Sequence, residues 1–232
     1  MYPNNFWQIE FIEILNNKKN LIIKLILPLI LTFPLIIPGM ALNVKSSFFT
    51  LIIIFISTFG SAVRLIQLKE NKIIEKLAVL PIKSYRLIFD YLFASVLIDC
   101  IKLSIPLILL LIFNLNTFQI LALFWVVINF IISIIFANCL GIIVAILASS
   151  SGEVHLYSII TVLGISVISG IFFIPLPYFL NIIPLLMPFY YFLNSLKSFW
   201  EGTLGFSIFP LIIVIIITFI IFLISSRLFR FK

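Results

Sequence analysis

The chain of 232 residues is 63% hydrophobic and only 10% charged, with a formal net charge of +7. Its mean hydropathy is +1.33, and a soluble domain of this size has too few polar residues here to cover its surface. The composition therefore excludes a soluble globular protein. It predicts an all-α, polytopic membrane protein that contacts the lipid bilayer.

The excess of positive charge does not indicate nucleic-acid binding. The basic residues stand mainly at the ends of apolar runs, where anionic headgroups and the orientation of the spans account for them. Cys100 and Cys139 both lie inside apolar runs, so they predict neither a disulfide nor a metal site. No nucleic-acid partner is expected.

The chain begins with an amphipathic segment, residues 1–20, which we expect to form an interfacial helix. Apolar runs of about 20 residues follow, the length that a helix needs to cross a hydrocarbon core about 30 Å thick. They predict six transmembrane helices, at residues 21–41, 47–66, 92–113, 118–148, 155–174 and 207–226. The fourth run contains no turn residues, so we expect one long helix there.

A charged segment, residues 64–90, separates the second and third spans. Residues 64–80 have helical composition with interspersed apolar and charged side chains, and Pro81 ends this helix before another leads into the third span. An amphipathic helix at the cytoplasmic surface, joined to a span on each side, can transmit force from a soluble partner. The alternative is a solvated hairpin whose charges only orient the protein.

The distribution of basic residues predicts the orientation. Most of them precede the first span, lie between the second and third spans, or follow the last one. The positive-inside rule then places both termini in the cytoplasm. We expect a multi-pass protein of the plasma membrane.

A further apolar stretch, residues 174–196, contains several prolines that would break a spanning helix. In lipid, such breaks survive only where other protein groups satisfy the backbone. We therefore predict a re-entrant or interfacial hairpin over residues 175–205, on the outer side. Its prolines are Pro175, Pro177, Pro184 and Pro188.

The sequence lacks the motifs of common membrane enzymes. His155 is the only histidine, which excludes an HExxH pair and a three-histidine zinc site. No GxxxxGK[ST] loop is present, so the chain does not bind ATP in the P-loop manner. Glu153 and His155 fall in the short stretch "SSSGEVH" and are interpreted as a solvated pair in a loop. We expect neither enzymatic activity nor a cofactor or metal site on this chain.

Asp99 and Lys102 form the only acid–base pair inside a predicted span. Because they are three residues apart, they share a helix face and can neutralise each other. Ionisable residues inside the membrane are costly and indicate function by default. A structural pair that determines helix packing is an equally open interpretation.

Small residues recur every four positions on the fourth run, at Gly141, Ala145 and Ser149. This spacing lets helices approach closely. It indicates tight packing or dimerisation.

The charged segment resembles the cytoplasmic stretch of the type-2 ABC exporter permeases, a family that includes drug and polysaccharide exporters. In "KENKIIEKLAVLPIKSYRLIFDYL", an acidic–basic run, a glutamate, a leucine-rich turn and a proline precede a helix, as in the family. The matching residues are Glu75, Leu77, Pro81 and Arg86. The family often has a glycine where this chain has Lys72 and Ile73.

A second stretch, "ISGIFFIPLPYFLNIIPLLMPFYYFLNSLK", is similar to the family's fifth span and the hairpin that follows it. Serine–glycine, an aromatic pair, proline-rich turns and a final basic residue occur in the same order. The matching residues are Ser169, Gly170, Phe172, Phe173, Pro175, Pro177, Pro188, Tyr191 and Lys197. The family commonly has arginine near the position of Lys197.

The resemblance implies a permease subunit that forms a homodimer, or a heterodimer with a related permease, and couples to a separate ABC ATP-binding subunit carrying ATP and Mg²⁺. It implies export. The implied coupling residues are Glu75, Lys76, Leu77, Pro81, Lys83 and Arg86. The implied outer-gate residues are Ser169, Gly170, Pro175, Pro177, Pro184, Pro188 and Tyr191.

Three alternatives stay open. The haem-exporter-like permeases of cytochrome c maturation have a similar length and span number. A membrane-embedded lipid-modifying enzyme could use Asp99 and Lys102 as acid and base. A scaffold subunit without a pathway of its own is the third alternative, and the sequence identifies no substrate.

Overall fold

The computed structural model describes residues 18–36, 40–73, 84–113, 120–172, 183–201 and 208–228. The described residues form helices and no strands, which confirms the all-α class. The helices are α1 Lys18–Ile36, α2 Leu42–Glu70, α3 Ser84–Phe113, α4 Ile120–Leu147, α5 Ser151–Ile168, α6 Pro188–Glu201 and α7 Ile208–Leu228. A 3₁₀ turn, Pro184–Leu186, precedes α6. All but the end of the predicted interfacial helix lies outside the described residues.

Four of the described helices are long and apolar enough to cross a membrane: α2, α3 from Arg86, α4 and α5. They indicate a polytopic membrane protein. The first and sixth predicted spans fall on α1 and α7, where the described apolar segments are shorter, Ile26–Leu35 and Ile215–Ile224. The structure thus supports four of the six predicted spans, and the six-span topology stays a prediction.

Helix α4 lies at the centre of the bundle and packs against α2, α3, α5, α6 and α7. It is a single helix of 28 residues, as the absence of turn residues predicts. At about 1.5 Å per residue it is roughly 42 Å long, more than a hydrocarbon core requires. Its side chains Val126, Ile134 and Ala137 are fully buried.

The contact between α2 and α4 is very close at Gly141. A Cβ atom at this position would collide with the Ser61 hydroxyl and the Thr58 carbonyl oxygen of α2. The small-residue spacing on the fourth run therefore allows tight packing within one chain.

Helix α5 begins and ends earlier than the predicted fifth span. The Ser150 hydroxyl accepts a hydrogen bond from the Glu153 backbone N–H at 3.4 Å and caps the first turn. Glu153 and His155 are thus helical rather than in a loop, and the His155 ring packs 5.0 Å from that of Phe59. The prediction of a loop failed because Ser150 and the acidic residue three positions later form a helix start.

Helix α5 ends before the apolar sequence does, at Ser169 and Gly170. Gly170 has a φ of +72°, and the N–H groups of Gly170 and Ile171 bond back to the carbonyls of Val167 and Ser166. This is the Schellman arrangement, in which glycine is favoured because other residues pay a steric penalty at positive φ.

The described part of the predicted outer hairpin consists of the 3₁₀ turn and α6. Pro184 and Pro188 each begin one of these elements, where a proline needs no backbone donor. With 14 residues, α6 is about 21 Å long, which is too short to cross a core about 30 Å thick. Its buried face, including Phe189 and Phe192, packs among the other helices. Its predicted re-entrant or interfacial placement stays a prediction.

The single helix predicted over residues 64–80 is interrupted. Residues 64–70 continue α2, Asn71 ends the helix, and Lys72 has a φ of 54°. A left-handed lysine breaks the helix without the glycine or proline that would mark the break in a sequence. The predicted coupling residues Glu75, Lys76, Leu77, Pro81 and Lys83 lie outside the described residues, and Arg86 is exposed on α3.

Candidate functional site

The ion pair expected from the sequence is present near the midpoint of α3. Lys102 Nζ lies 3.0 Å from Asp99 Oδ1. Asp99 is only 3% exposed, and the Lys102 side chain is 14% exposed. Spacing of three residues places both on one helix face, so each charge offsets the cost of burying the other.

The second oxygen of Asp99 joins α3 to α4. Asp99 Oδ2 accepts a hydrogen bond from Asn138 Nδ2 at 3.0 Å. Asn138 also donates to the Ile134 carbonyl one turn earlier in α4, at 2.9 Å. The carboxylate of Asp99 is therefore held by a cation on its own helix and an amide on its neighbour.

Two further polar residues extend this network to α2. The Ser61 hydroxyl donates to the Ser57 carbonyl at 2.8 Å and lies 3.3 Å from the Asn138 carbonyl of α4. The Tyr91 hydroxyl of α3 donates to the Ser61 carbonyl at 2.6 Å, and Tyr91 is almost completely buried. Buried hydrogen bonds thus connect the three long helices α2, α3 and α4.

Our sequence reasoning missed Asn138, Ser61 and Tyr91. A signal for Asn138 existed, because an asparagine inside an apolar run usually forms a hydrogen bond to another helix. Ser61 and Tyr91 carried no such signal. Their roles depend on the tertiary contacts of α2, α3 and α4.

A cavity of about 310 Å³ adjoins the ion pair, between α1, α2 and α3. Its polar lining residues are Arg64, Gln67, Ser95, Asp99 and Lys102. Along α2 it extends from Phe55 to Gln67, or roughly 18 Å at the helical rise of about 1.5 Å per residue. It therefore reaches from the middle of α2 toward the end at which the charged segment begins.

The last two residues of α2 attach it to the turn between α4 and α5. Lys69 Nζ donates to the carbonyls of Ala145 and Ala148, at 3.2 and 3.3 Å, at the end of α4. The Glu70 carboxylate accepts from the backbone N–H and hydroxyl of Ser151, at 2.9 and 2.8 Å, at the start of α5. Each charge faces the helix end of opposite partial charge.

This attachment changes how Lys69 and Glu70 are interpreted. The sequence places them on an amphipathic helix that would face solvent or a partner, whereas here both bind helix ends of the same chain. It also places the α2–α3 and α4–α5 connections at the same end of the bundle.

The described outer-gate residues have local roles. Ser169 and Gly170 end α5, and the Tyr191 hydroxyl donates to the Leu185 carbonyl in the 3₁₀ turn at 2.7 Å. Burial lowers the pKa of Lys197, and the nearby Glu201 carboxylate partly opposes this effect. Pro175, Pro177 and Phe173 lie outside the described residues, and Phe172 is exposed.

Within the described ranges, no three histidine, cysteine, aspartate or glutamate side chains come together as a metal would require. No protein-family model matches the sequence, and no curated protein or solved structure matches it. The fold is a helical bundle with a buried ion pair beside a polar cavity, and its four long apolar helices indicate a membrane protein.

Proposed function

We propose that this chain is the transmembrane permease subunit of an ATP-driven ABC exporter. It forms part of the substrate pathway and couples to a separate ATP-binding subunit that carries ATP and Mg²⁺. The observation that supports this best is the polar cavity beside Asp99 and Lys102, in the middle of apolar helices. Charged residues at such depth are costly and are found chiefly along substrate or ion pathways.

The shape of the cavity suits a pathway with access from one side. It extends along α2 from the level of Phe55 to Gln67, near the end of the helix that leads into the charged segment. In the proposed orientation that end is cytoplasmic. A substrate would enter the cavity from the side on which ATP is consumed.

The attachment of α2 to the α4–α5 turn supports a coupling role for residues 64–90. Since Lys69 and Glu70 bind the ends of α4 and α5, a displacement of the segment after Glu70 would move three helices together. The proposed contacts with the ATPase are Glu75, Lys76, Leu77, Pro81, Lys83 and Arg86.

The proposed topology has six spans, with α1 and α7 as the first and last. Both termini then lie in the cytoplasm, residues 1–20 lie in the interface, and residues 175–205 form an outer gate in a plasma-membrane dimer. Because successive spans cross the membrane in opposite directions, the α2–α3 and α4–α5 connections must lie on the same side of the membrane. The contact between Glu70 and Ser151 agrees with this.

The proposal is tested by co-purification from native membranes in mild detergent, with mass spectrometry of the bound proteins. We expect a P-loop ATPase to be retained by the native chain and lost on combined Glu75→Lys, Lys76→Glu and Lys83→Glu substitution. Arg227→Glu is the matched control, because Arg227 is an exposed cation at the end of α7. Retention of the ATPase by the triple variant would contradict the coupling assignment, and its absence even after cross-linking would contradict the exporter.

The lipid-modifying enzyme is less well supported. Asp99 and Lys102 bind each other, and Asp99 also accepts a hydrogen bond from Asn138, so a catalytic role would require these contacts to change. Turnover of lipid by the chain without any ATPase would favour the enzyme, and a haem spectrum on purification would favour the haem-exporter alternative.

A further inference from the structure

We propose that a groove between α3, α4 and α7 binds a bilayer phospholipid whose head group carries both a phosphate and a primary ammonium, as phosphatidylethanolamine does. Arg86 holds the phosphate, Asp90 holds the ammonium, and one acyl chain lies in the groove. The inference goes beyond the proposed function. Helix α3 lines the groove and the polar cavity with different residues, Cys100 in the groove and Asp99 and Lys102 in the cavity.

The groove has the size and lining that an acyl chain requires. Its volume is about 570 Å³, within the range of roughly 300 to 1,000 Å³ for small-molecule sites. Along α3 it extends from Phe89 to Cys100, or roughly 17 Å at about 1.5 Å per residue. One leaflet of the hydrocarbon core is about 15 Å thick, half of a core of about 30 Å. The groove is thus about as long as the part of a lipid that lies in one leaflet.

Phenylalanine rings of α3 and α7 meet at the end of the groove that is nearest the start of α3. Phe89 stacks with Phe93 at a centroid distance of 6.4 Å and contacts the edge of Phe222 at 6.2 Å. Phe89, Phe93 and Phe219 remain exposed in the described part of the chain. A cluster of exposed apolar side chains beside a groove indicates a surface that binds lipid or another apolar partner.

Two charged residues continue the groove side of α3 toward the start of the helix. Successive intervals of four and three residues separate Arg86, Asp90, Phe93, Leu97 and Cys100, which places them along one side of an α-helix. The candidate membrane span begins at Arg86, so both charges lie in its first turns, near the level of the head groups. Arg86 is exposed and Asp90 is partly exposed. A lipid with its tail in the groove therefore has its head group beside both charges.

These charges favour a zwitterionic head group over an anionic one. Arg86 and Asp90 attract each other electrostatically, and their formal charges cancel. A phosphate accepts hydrogen bonds from the guanidinium, and a primary ammonium donates hydrogen bonds to the carboxylate. Each residue gains a partner, and the attraction between the two is kept. A choline head group has no N–H to donate, and an anionic head group brings a like charge toward the carboxylate.

The test is native mass spectrometry of the purified chain, without any ATPase, in a neutral detergent. The probes are phosphatidylethanolamine, phosphatidylcholine and phosphatidylglycerol with identical acyl chains, each titrated alone. We expect phosphatidylethanolamine to bind about tenfold more tightly than the other two, the difference expected of one charge-assisted hydrogen bond. Equal affinities, or tighter binding of either other lipid, would overturn the proposal. Arg86 is also among the proposed ATPase contacts, so omitting the ATPase keeps this result independent of the exporter proposal.

Two substitutions separate recognition of the head group from general affinity for lipid. Asp90→Asn should remove the preference for phosphatidylethanolamine over phosphatidylcholine, because the carboxylate binds the ammonium N–H groups. Arg86→Gln should weaken the binding of both lipids about tenfold, because both carry the phosphate. Arg227→Gln is the matched control, since Arg227 is exposed and lies five residues after Phe222, on a different side of α7. A preference that survives Asp90→Asn, or equal losses in Arg86→Gln and Arg227→Gln, would contradict the assignment.

Filling the groove tests where the tail lies. Leu97→Trp should lower the affinity for all three lipids by a similar factor and leave the preference among them intact. Ile101→Trp is its control, because Ile101 is exposed on α3 and does not line the groove. Thermal unfolding in detergent verifies that both variants fold. Undiminished lipid binding by Leu97→Trp would overturn the proposal. A dimer that binds none of the lipids and dissociates on Leu97→Trp, measured by light scattering, would assign the groove to a second copy of the chain instead.

Discussion

Two pairs of oppositely charged residues in this chain occupy contrasting places. Asp99 and Lys102 lie in the middle of α3 and bind each other at 3.0 Å. Lys69 and Glu70 lie at the end of α2, and each binds a different helix end rather than its neighbour in sequence. Residues three apart on a helix share a face, whereas adjacent residues do not.

The difference shows how position determines what a charge does in an apolar protein. In the bundle interior, water is excluded and a charge must be neutralised by a nearby partner of opposite sign. At a helix end, unpaired backbone N–H and carbonyl groups serve as that partner. The interior pair is therefore suited to a substrate pathway, and the terminal pair to holding α2, α4 and α5 together.

The largest effect is expected on removing one member of the interior pair. Asp99→Ala leaves Lys102 without its anion and removes the acceptor that Asn138 has on α3, which should lower the free energy of unfolding by about 3 kcal/mol. Denaturant titration in detergent, followed by tryptophan fluorescence, measures this loss.

The matched control is the double variant Asp99→Leu with Lys102→Met. It removes both charges at similar volume, so most of the lost stability should return. If the losses in the single variants Asp99→Leu and Lys102→Met added up to the loss in the double variant, the two residues would not interact energetically, and the contrast between the two pairs would have no basis.

A smaller effect is expected at the terminal pair. Glu70→Ala removes the acceptor for the backbone N–H and the hydroxyl of Ser151, the first residue of α5. The loss of such a cap lowers the free energy of unfolding by about 1 kcal/mol. Thermal unfolding in detergent tests this expectation. Lys72→Ala is the control, since Lys72 follows the helix end and is exposed. Lysine and alanine both carry a Cβ atom, so the steric penalty at the positive φ of this residue is the same before and after the substitution. If Glu70→Ala lowered the stability as much as Asp99→Ala does, the terminal pair would contribute as much as the buried interior pair, which would contradict the proposed contrast.

Much of the fold is predictable from the sequence because apolar length determines which helices reach across a bilayer. The runs at residues 47–66 and 92–113 each lie within one observed helix, and α4, Ile120–Leu147, lies within the run at 118–148. The ends are less predictable. Lys72 breaks a helix without a breaker residue, and α5 ends at Ile168 although the sequence stays apolar to residue 174.

The candidate site is predictable only in part, for a related reason. The contact between Asp99 and Lys102 depends on helical spacing alone, so the sequence suffices. The roles of Asn138, Tyr91 and the cavity depend on how α2, α3 and α4 pack together, which no local pattern encodes. The same holds for Glu70, whose partner Ser151 is 81 residues away in sequence.

The smallest expected effect is a salt dependence of the stability that Glu70→Ala and Asp99→Ala each lose. It is also the most direct test of the contrast between the terminal pair and the interior pair. The Glu70–Ser151 contact is exposed, so mobile ions screen it, whereas the Asp99–Lys102 pair is mostly buried. Raising the NaCl concentration from about 0.05 M to about 1 M shortens the Debye length from about 14 Å to about 3 Å. The penalty of Glu70→Ala should then shrink by a few tenths of a kcal/mol, and that of Asp99→Ala should stay the same. A salt-sensitive loss at Asp99 would mean that ions reach the pair through the cavity and that its surroundings are more hydrated than its burial indicates.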